Sequence, residues 1–170
     1  MGGHFWLIGM MGSGKTAVGS RLAVRLDRGF VDVDHHVADR MGCSIAQLWG
    51  EGGEAAFRDL ETAAIDRIAD GPAAVIATGG GAILNPVNVA RMRATGHVVW
   101  LSASVETLEH RVGHGTGRPL LLDGDTGDRL AAILADRVPQ YADAADLRVE
   151  TDGLTANTVT DHIEAWWNES

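Results

Sequence analysis

Along the chain, short apolar runs alternate with longer stretches in which apolar positions return every three or four residues. The runs Phe5–Ile8, Phe30–Val33, Ala74–Ala77, Val98–Leu101 and Leu147–Val149 have the length and composition of buried strands. Between them, Lys15–Leu26, Ser44–Ile68, Pro86–Arg93, Val105–Val112, Asp128–Tyr141 and Thr155–Trp167 read as helices, the second broken near Gly52-Gly53. In the first of these, Val18, Leu22 and Leu26 repeat every four residues while Arg21, Arg25 and Arg28 turn elsewhere, the pattern of a helix buried along one side. Alternation of this kind predicts an α/β fold in three layers, a five-stranded parallel sheet with right-handed crossovers and helices on both faces. Ligands of such sheets gather at the carboxyl ends of the strands. One segment fits neither pattern. Residues 113–127, with His114-Gly-Thr-Gly-Arg-Pro119 and Leu-Leu-Leu-Asp-Gly-Asp-Thr-Gly after it, are too glycine-rich for a core element and read as a mobile lid.

No internal repeat and no linker divides the pattern, so a single domain over residues 1–170 is expected. At 170 residues one core suffices without disulfides or structural metals. The formal net charge of −9 opposes a nucleic-acid surface and assigns any anionic ligand to local arginines. Cys43 is the single cysteine, so no intrachain disulfide can form, which suits a reducing cytosol. The apolar start lacks a basic leader, and no apolar run approaches the roughly 18 residues that span a bilayer. A cytoplasmic monomer with no membrane or nucleic-acid partner is the expectation.

Charge type changes the picture more than net charge does. Lys15 is the single lysine among 14 lysines and arginines. It lies in Gly9-Met-Met-Gly-Ser-Gly-Lys-Thr16, which fits G-x-x-x-x-G-K-[ST] between a strand and a helix. In such a loop the glycines permit a tight path whose N–H groups point inward, the lysine reaches the terminal phosphates and Thr16 offers a magnesium ligand. Gly12, Ser13, Gly14, Lys15, Thr16 and Ala17 are therefore the candidate nucleotide-binding residues, aided by the positive end of the helix dipole.

Other candidates follow at the ends of later elements. The second strand ends in Val-Asp-Val-Asp34, and a period of two places Asp32 and Asp34 on one face, where they could serve a metal and an attacking hydroxyl. Helix capping is the alternative use for Asp34. Glu54, Arg58 and Glu61 share a helix face. They form either a surface ion-pair ladder or an arginine fork for a substrate carboxylate, steadied by Glu61. After the third strand, Gly79, Gly80 and Gly81 leave no side chain between strand and cleft, so backbone meets a ligand there or simply turns. Arg118 in the lid and Arg137 on the helix after it could close over anions.

Taken together, GMMGSGKT, FVDVD, the Phe57-Arg58 pair with Glu61, the triple glycine, Arg118-Pro-Leu-Leu and R-x-P-x-Y at Arg137–Tyr141 resemble shikimate kinases in order and spacing. The resemblance implies a small P-loop kinase of the nucleoside-monophosphate-kinase type, with a substrate-binding region over about residues 34–62. It also implies ATP as co-substrate, Mg²⁺, and transfer to the 3-hydroxyl of shikimate in aromatic amino-acid (chorismate) biosynthesis. By matching position, Lys15 holds phosphates, Thr16 and Asp32 serve the metal, and Asp34 engages the accepting hydroxyl. Arg58, Arg137 and the glycines at 79–81 bind shikimate, with Met11 and Trp49 on the substrate side. Arg118 swings in with the lid, and Arg111 flanks the adenine. Thr151–Ala156 stands where the family often carries an arginine and a proline, so altered adenine packing is implied. The rivals are a kinase for a related cyclitol or gluconate, and a nucleotide-dependent switch without an acceptor site.

Overall fold

The computed structural model describes residues 3–113 and 126–170. Its strands are β1 (His4–Ile8), β2 (Gly29–Asp32), β3 (Ala74–Ala77), β4 (Gly96–Ser102) and β5 (Leu147–Glu150), all parallel, in the order β2-β3-β1-β4-β5. The helices among the described residues are α1 (Lys15–Arg25), α2 (Val33–Met41), α3 (Ile45–Ala69), α4 (Pro86–Thr95), α5 (Val105–Val112), α6 (Thr126–Ala144) and α7 (Ala156–Glu169).

Strand alternation sorts the core into two layers. From β1, Trp6 and Ile8 join Ile76, Val98 and Trp100 beneath α2, α3, α4 and α6, whereas Phe5 and Leu7 join Val75, Val99 and Leu101 against α1 and α7. Burial on both faces explains why β1, β3 and β4 read as continuous apolar runs. Trp166 and Trp167 pack α7 onto this second layer, with Trp167 edge-on to Phe5.

The order of strands also creates the cleft. The chain leaves β1 for β2 by crossing β3, and returns from β3 to β4 by crossing β1, so the loops after β1 and β3 lie side by side with open space between the departing crossovers.

One expectation is corrected. The second strand stops at Asp32 rather than Val33, and α2, absent from the sequence-based elements, begins at once. Asp32 is its N-cap and accepts from His35 N, so Asp34 belongs to the first turn of a helix and not to the strand. The expected break near Gly52-Gly53 is present: two helical segments of α3 meet in a kink where Gly53 takes the non-helical φ 73° and ψ 179°. Residues 114–125, including Arg118 and most of the lid, lie outside the described residues.

Candidate active site

A cleft of about 560 Å³ opens at the carboxyl ends of β1, β2 and β3. Its floor is the loop from Gly9 to Gly14. Gly9 (φ 142°) and Gly12 (φ 81°) hold conformations that side chains rarely adopt. A Cβ on Gly9 would also stand 2.4 Å from Leu101 O, and one on Gly12 2.8 Å from Val112 Cγ2. The Ser13 hydroxyl is buried below the loop, against Gly9, without a hydrogen-bond partner. Backbone is thus what the loop offers upward. Lys15 Nζ donates to the carbonyls of Gly9 (2.7 Å) and Met10 (2.8 Å) and lines the cleft beside Thr16 and Ala17.

The start of α1 is unlike that of its neighbours. Asp32, Ser44, Asn85, Ser104 and Thr155 cap α2, α3, α4, α5 and α7 with side-chain oxygens, whereas α1 begins on Gly14 with no side-chain cap. Its first N–H groups and the positive end of its dipole therefore face the cleft unneutralised, as an anion site requires.

Thr16 Oγ1 donates to Asp32 Oδ2 at 3.0 Å, so the two oxygens proposed for a metal meet beside the loop while Asp32 Oδ1 stays on the α2 cap. Hydroxyl plus carboxylate is a hard-oxygen pair that fits Mg²⁺, which commonly takes one or two protein ligands and completes its shell with phosphate and water.

Asp34 lies deeper. Burial raises its carboxyl above the ordinary carboxylate range, and the nearby Asp32 charge adds to this, against the opposing pull of Lys15 and Arg58. Glu61, fully buried on α3, is raised by burial in the same way, and its contact with Arg58 opposes the shift. Asp34 Oδ1 and Glu61 Oε1 are both buried without a partner, and both approach Gly79: a Cβ there would sit 3.0 Å from the first and 2.3 Å from the second.

Arg58 is held rather than free on a surface ladder. Its Nη1 donates to Glu61 Oε2 at 2.8 Å, its Nη2 to Glu54 at 3.3 Å, and its guanidinium lies over the rings of Phe57 and Trp49. That fork presses against Gly81, while buried Arg137, from α6, presses against Gly80. Among the described residues, each retains a buried nitrogen without a partner, Nε of Arg58 and Nη1 of Arg137. The glycine turn between them is wired through its carbonyls. Gly79 O accepts from Ala82 N, Gly80 O from Tyr141 Oη at 2.5 Å, and Gly81 O from Leu84 N. No protein acceptor meets the N–H groups of these glycines among the described residues, so the turn presents donors to the cleft. Burial pushes the Tyr141 hydroxyl up to about 12, which keeps it a donor over the working pH range.

Arg111 crosses from α5 to the other end of the site. Its Nη2 donates to Thr151 O (2.8 Å), and its Nη1 to Thr151 Oγ1 (3.0 Å) and Gly12 O (3.4 Å). With its edge so engaged, the guanidinium keeps its faces for stacking. Thus Gly12, Gly14, Lys15, Thr16, Ala17, Asp32, Asp34, Arg58, Gly79, Gly80, Gly81, Arg111 and Arg137 converge on one cleft, with Met11 and Trp49 in its wall. Sequence reasoning missed Ile45 as a wall residue, and Tyr141 and Thr151 as the supports of Gly80 and Arg111. The i, i+4 spacing of Arg137 and Tyr141 was a signal for the first support.

Comparison with known proteins follows this geometry closely. The profile of the shikimate kinase family matches residues 11–167. A shikimate kinase of Moorella thermoacetica is 42% identical over 170 residues, covering 98% of this chain and 97% of the relative. One from Symbiobacterium thermophilum is 46% identical over 159 residues, covering 92% and 91%. Among solved structures, shikimate kinase from Acinetobacter baumannii in complex with shikimate superposes with a TM-score of 0.96 at 34% identity, covering 98% of this chain and 93% of the other.

Proposed function

The chain belongs to the shikimate kinase family, ATP- and Mg²⁺-dependent phosphotransferases, and from that premise we propose that this cleft carries the γ-phosphoryl group of ATP to the 3-hydroxyl of shikimate. The observation that carries the assignment of roles is the pair of arginines with unpartnered buried nitrogens on either side of the glycine turn, a short way from a buried carboxylate. A carboxylate ligand satisfies the arginines, its hydroxyls meet the turn's N–H groups, and one hydroxyl reaches Asp34.

The phosphates of ATP lie on the loop amides and the uncapped start of α1, with Lys15 exchanging its carbonyl partners for phosphate oxygens. Thr16 and Asp32 hold Mg²⁺, which neutralises charge on the phosphates when bound. Arg111 flanks the adenine, and Arg118, outside the described residues, is assigned to the phosphates. In the transfer, the acceptor oxygen bonds to the γ-phosphorus as the bond from that phosphorus to the β–γ bridging oxygen breaks. The hydroxyl proton passes to the Asp34 carboxylate, and ADP leaves. The raised proton affinity of Asp34 suits it to accept that proton.

A nucleotide-dependent switch would have no use for the arginine pair. A reducing, cytoplasmic setting is what the single cysteine supports. Among the described residues, no helix is long and apolar enough to cross a membrane. The deciding assay is ADP release from Mg-ATP with shikimate, quinate, gluconate or a nucleoside monophosphate at equal concentration. Shikimate is expected to stimulate most. No stimulation by shikimate refutes the reading.

A further inference from the structure

The turn that presents Gly79–Gly81 has to be held from behind, because its own three residues carry no side chains. Immediately after it, Ala82–Leu84 form a 3₁₀ turn, and α4 follows. Asn88, in the first turns of α4, is 2% exposed. Its Nδ2 donates to Ala82 O at 3.0 Å, while Ala82 N donates to Gly79 O at 3.1 Å. The next donor to Ala82 O, Asn85 N, stands at 3.4 Å. Asn85 in turn caps α4 through Val87 N and donates Nδ2 to Thr62 Oγ1, next to Glu61 on α3. Ala82 therefore joins the glycine turn, through its N–H, to a buried amide, through its C=O, and Asn85 joins the same segment to the helix that carries Arg58 and Glu61.

We propose that Asn88 is a positioning residue for the acceptor: its buried amide, donating to Ala82 O, sets the aim of the Gly79–Gly81 N–H groups although it lines no part of the cleft. This inference rests on the acceptor site described above. The physical reason is that a weakly paired buried carbonyl is costly: without the amide Ala82 O keeps only the long bond from Asn85 N, at 3.4 Å, and residue 82 shifts to shorten it. The Ala82 N–H, bonded to Gly79 O, is carried along by a shift of the residue, which passes the displacement to the turn. Asn88 Oδ1 has no partner, which makes the N–H the half of the amide that acts.

The test is a split of kinetic constants in Asn88→Leu, which keeps the shape and removes the donor, with Asn88→Ala and Asn88→Asp measured beside it in case leucine prevents folding. The shikimate KM should rise roughly fivefold or more, with the Mg-ATP KM within about twofold of wild type. Asp, which turns a carboxylate oxygen on Ala82 O, should raise it further. Val159→Ala, a cavity in the layer between α7 and the sheet, serves as a control for loss of stability alone and should leave both KM values unchanged. A shikimate KM within twofold of wild type in the folded variants overturns the proposal, as does an equal rise in the Mg-ATP KM or the same rise in Val159→Ala. Wild-type turnover is the separate check, because failure there would overturn the acceptor assignment itself.

Discussion

Gly81→Ala offers a sharp test of the acceptor site, because it adds one carbon at a place where backbone strain is not at issue. Gly81 has φ −101° and ψ 3°, open to alanine. The added Cβ would meet Arg58 at 2.3 Å from Nη2, 2.6 Å from Cζ and 2.8 Å from Nη1. Restoring ordinary contact at about 3.4 Å moves the guanidinium by roughly 1 Å. That is enough to stretch the 2.8 Å bond to Glu61 and to shift the fork relative to a bound carboxylate. Charge-assisted hydrogen bonds of this kind contribute about 1.5–3 kcal/mol, and 1.4 kcal/mol is a factor of ten, so the shikimate KM should rise roughly 10- to 100-fold. The Mg-ATP KM should stay within about twofold. Stability should change little, since the glycine-to-alanine gain of about 0.4–1 kcal/mol offsets part of the local repulsion. Coupled measurement of ADP release at varied shikimate and varied Mg-ATP, with a thermal melt, reads all three quantities. An unchanged shikimate KM, or parallel rises for both substrates, would show that Arg58 does not bind the acceptor.

Two further variants, and the pH dependence of the wild type, test the remaining machinery. Lys15→Arg preserves charge but brings a planar fork to a place where one ammonium already touches two carbonyls, so most of kcat/KM should be lost, and near-normal turnover would refute the requirement for a point charge. Asp34→Asn should lower kcat by about 10²–10⁴ with little change in Mg-ATP KM. Because burial raises Asp34 above its unfolded value, its ionised form destabilises the fold at neutral pH, and that penalty fades as pH falls through the raised value. The variant should therefore melt above wild type at neutral pH, with the gap closing on acidification. For the same reason, wild-type kcat/KM should decline on its acid side above the ordinary carboxylate range of about 4. A lower melting temperature for the variant at neutral pH would contradict the burial argument.

The inner strands β1, β3 and β4 were legible because burial on both faces leaves each with an unbroken apolar run. The nucleotide loop was legible because three glycines and a lysine at fixed spacing have few other uses. The helix α2 was not, although its signals are present: Asp32 as a cap, Val33 and Val37 on one side, and Gly42 in the left-handed conformation at its end. Val-Asp-Val-Asp imitates the alternation of a strand over the four residues where the chain changes from one period to the other, so local pattern favoured the wrong element. The two readings of Arg58 were likewise indistinguishable by spacing. What separates them is the full burial of Glu61, a property of how α3 packs on the sheet and not of its own sequence. Asn88 and Thr151 lay beyond sequence reasoning because each acts on a group brought near it by the fold, the Ala82 carbonyl for Asn88 and the Arg111 guanidinium for Thr151.

Lys15 has one more consequence. As the chain's single lysine, with Nζ lodged against Gly9 and Met10 at the floor of the cleft, it gives the protein one ε-amine, located where the phosphates are assigned. An acylating reagent or a carbonyl probe thus finds a unique side-chain address that coincides with the active centre. Its stoichiometric modification becomes a mass-spectrometric gauge of nucleotide occupancy, free of the background that surface lysines impose on most proteins.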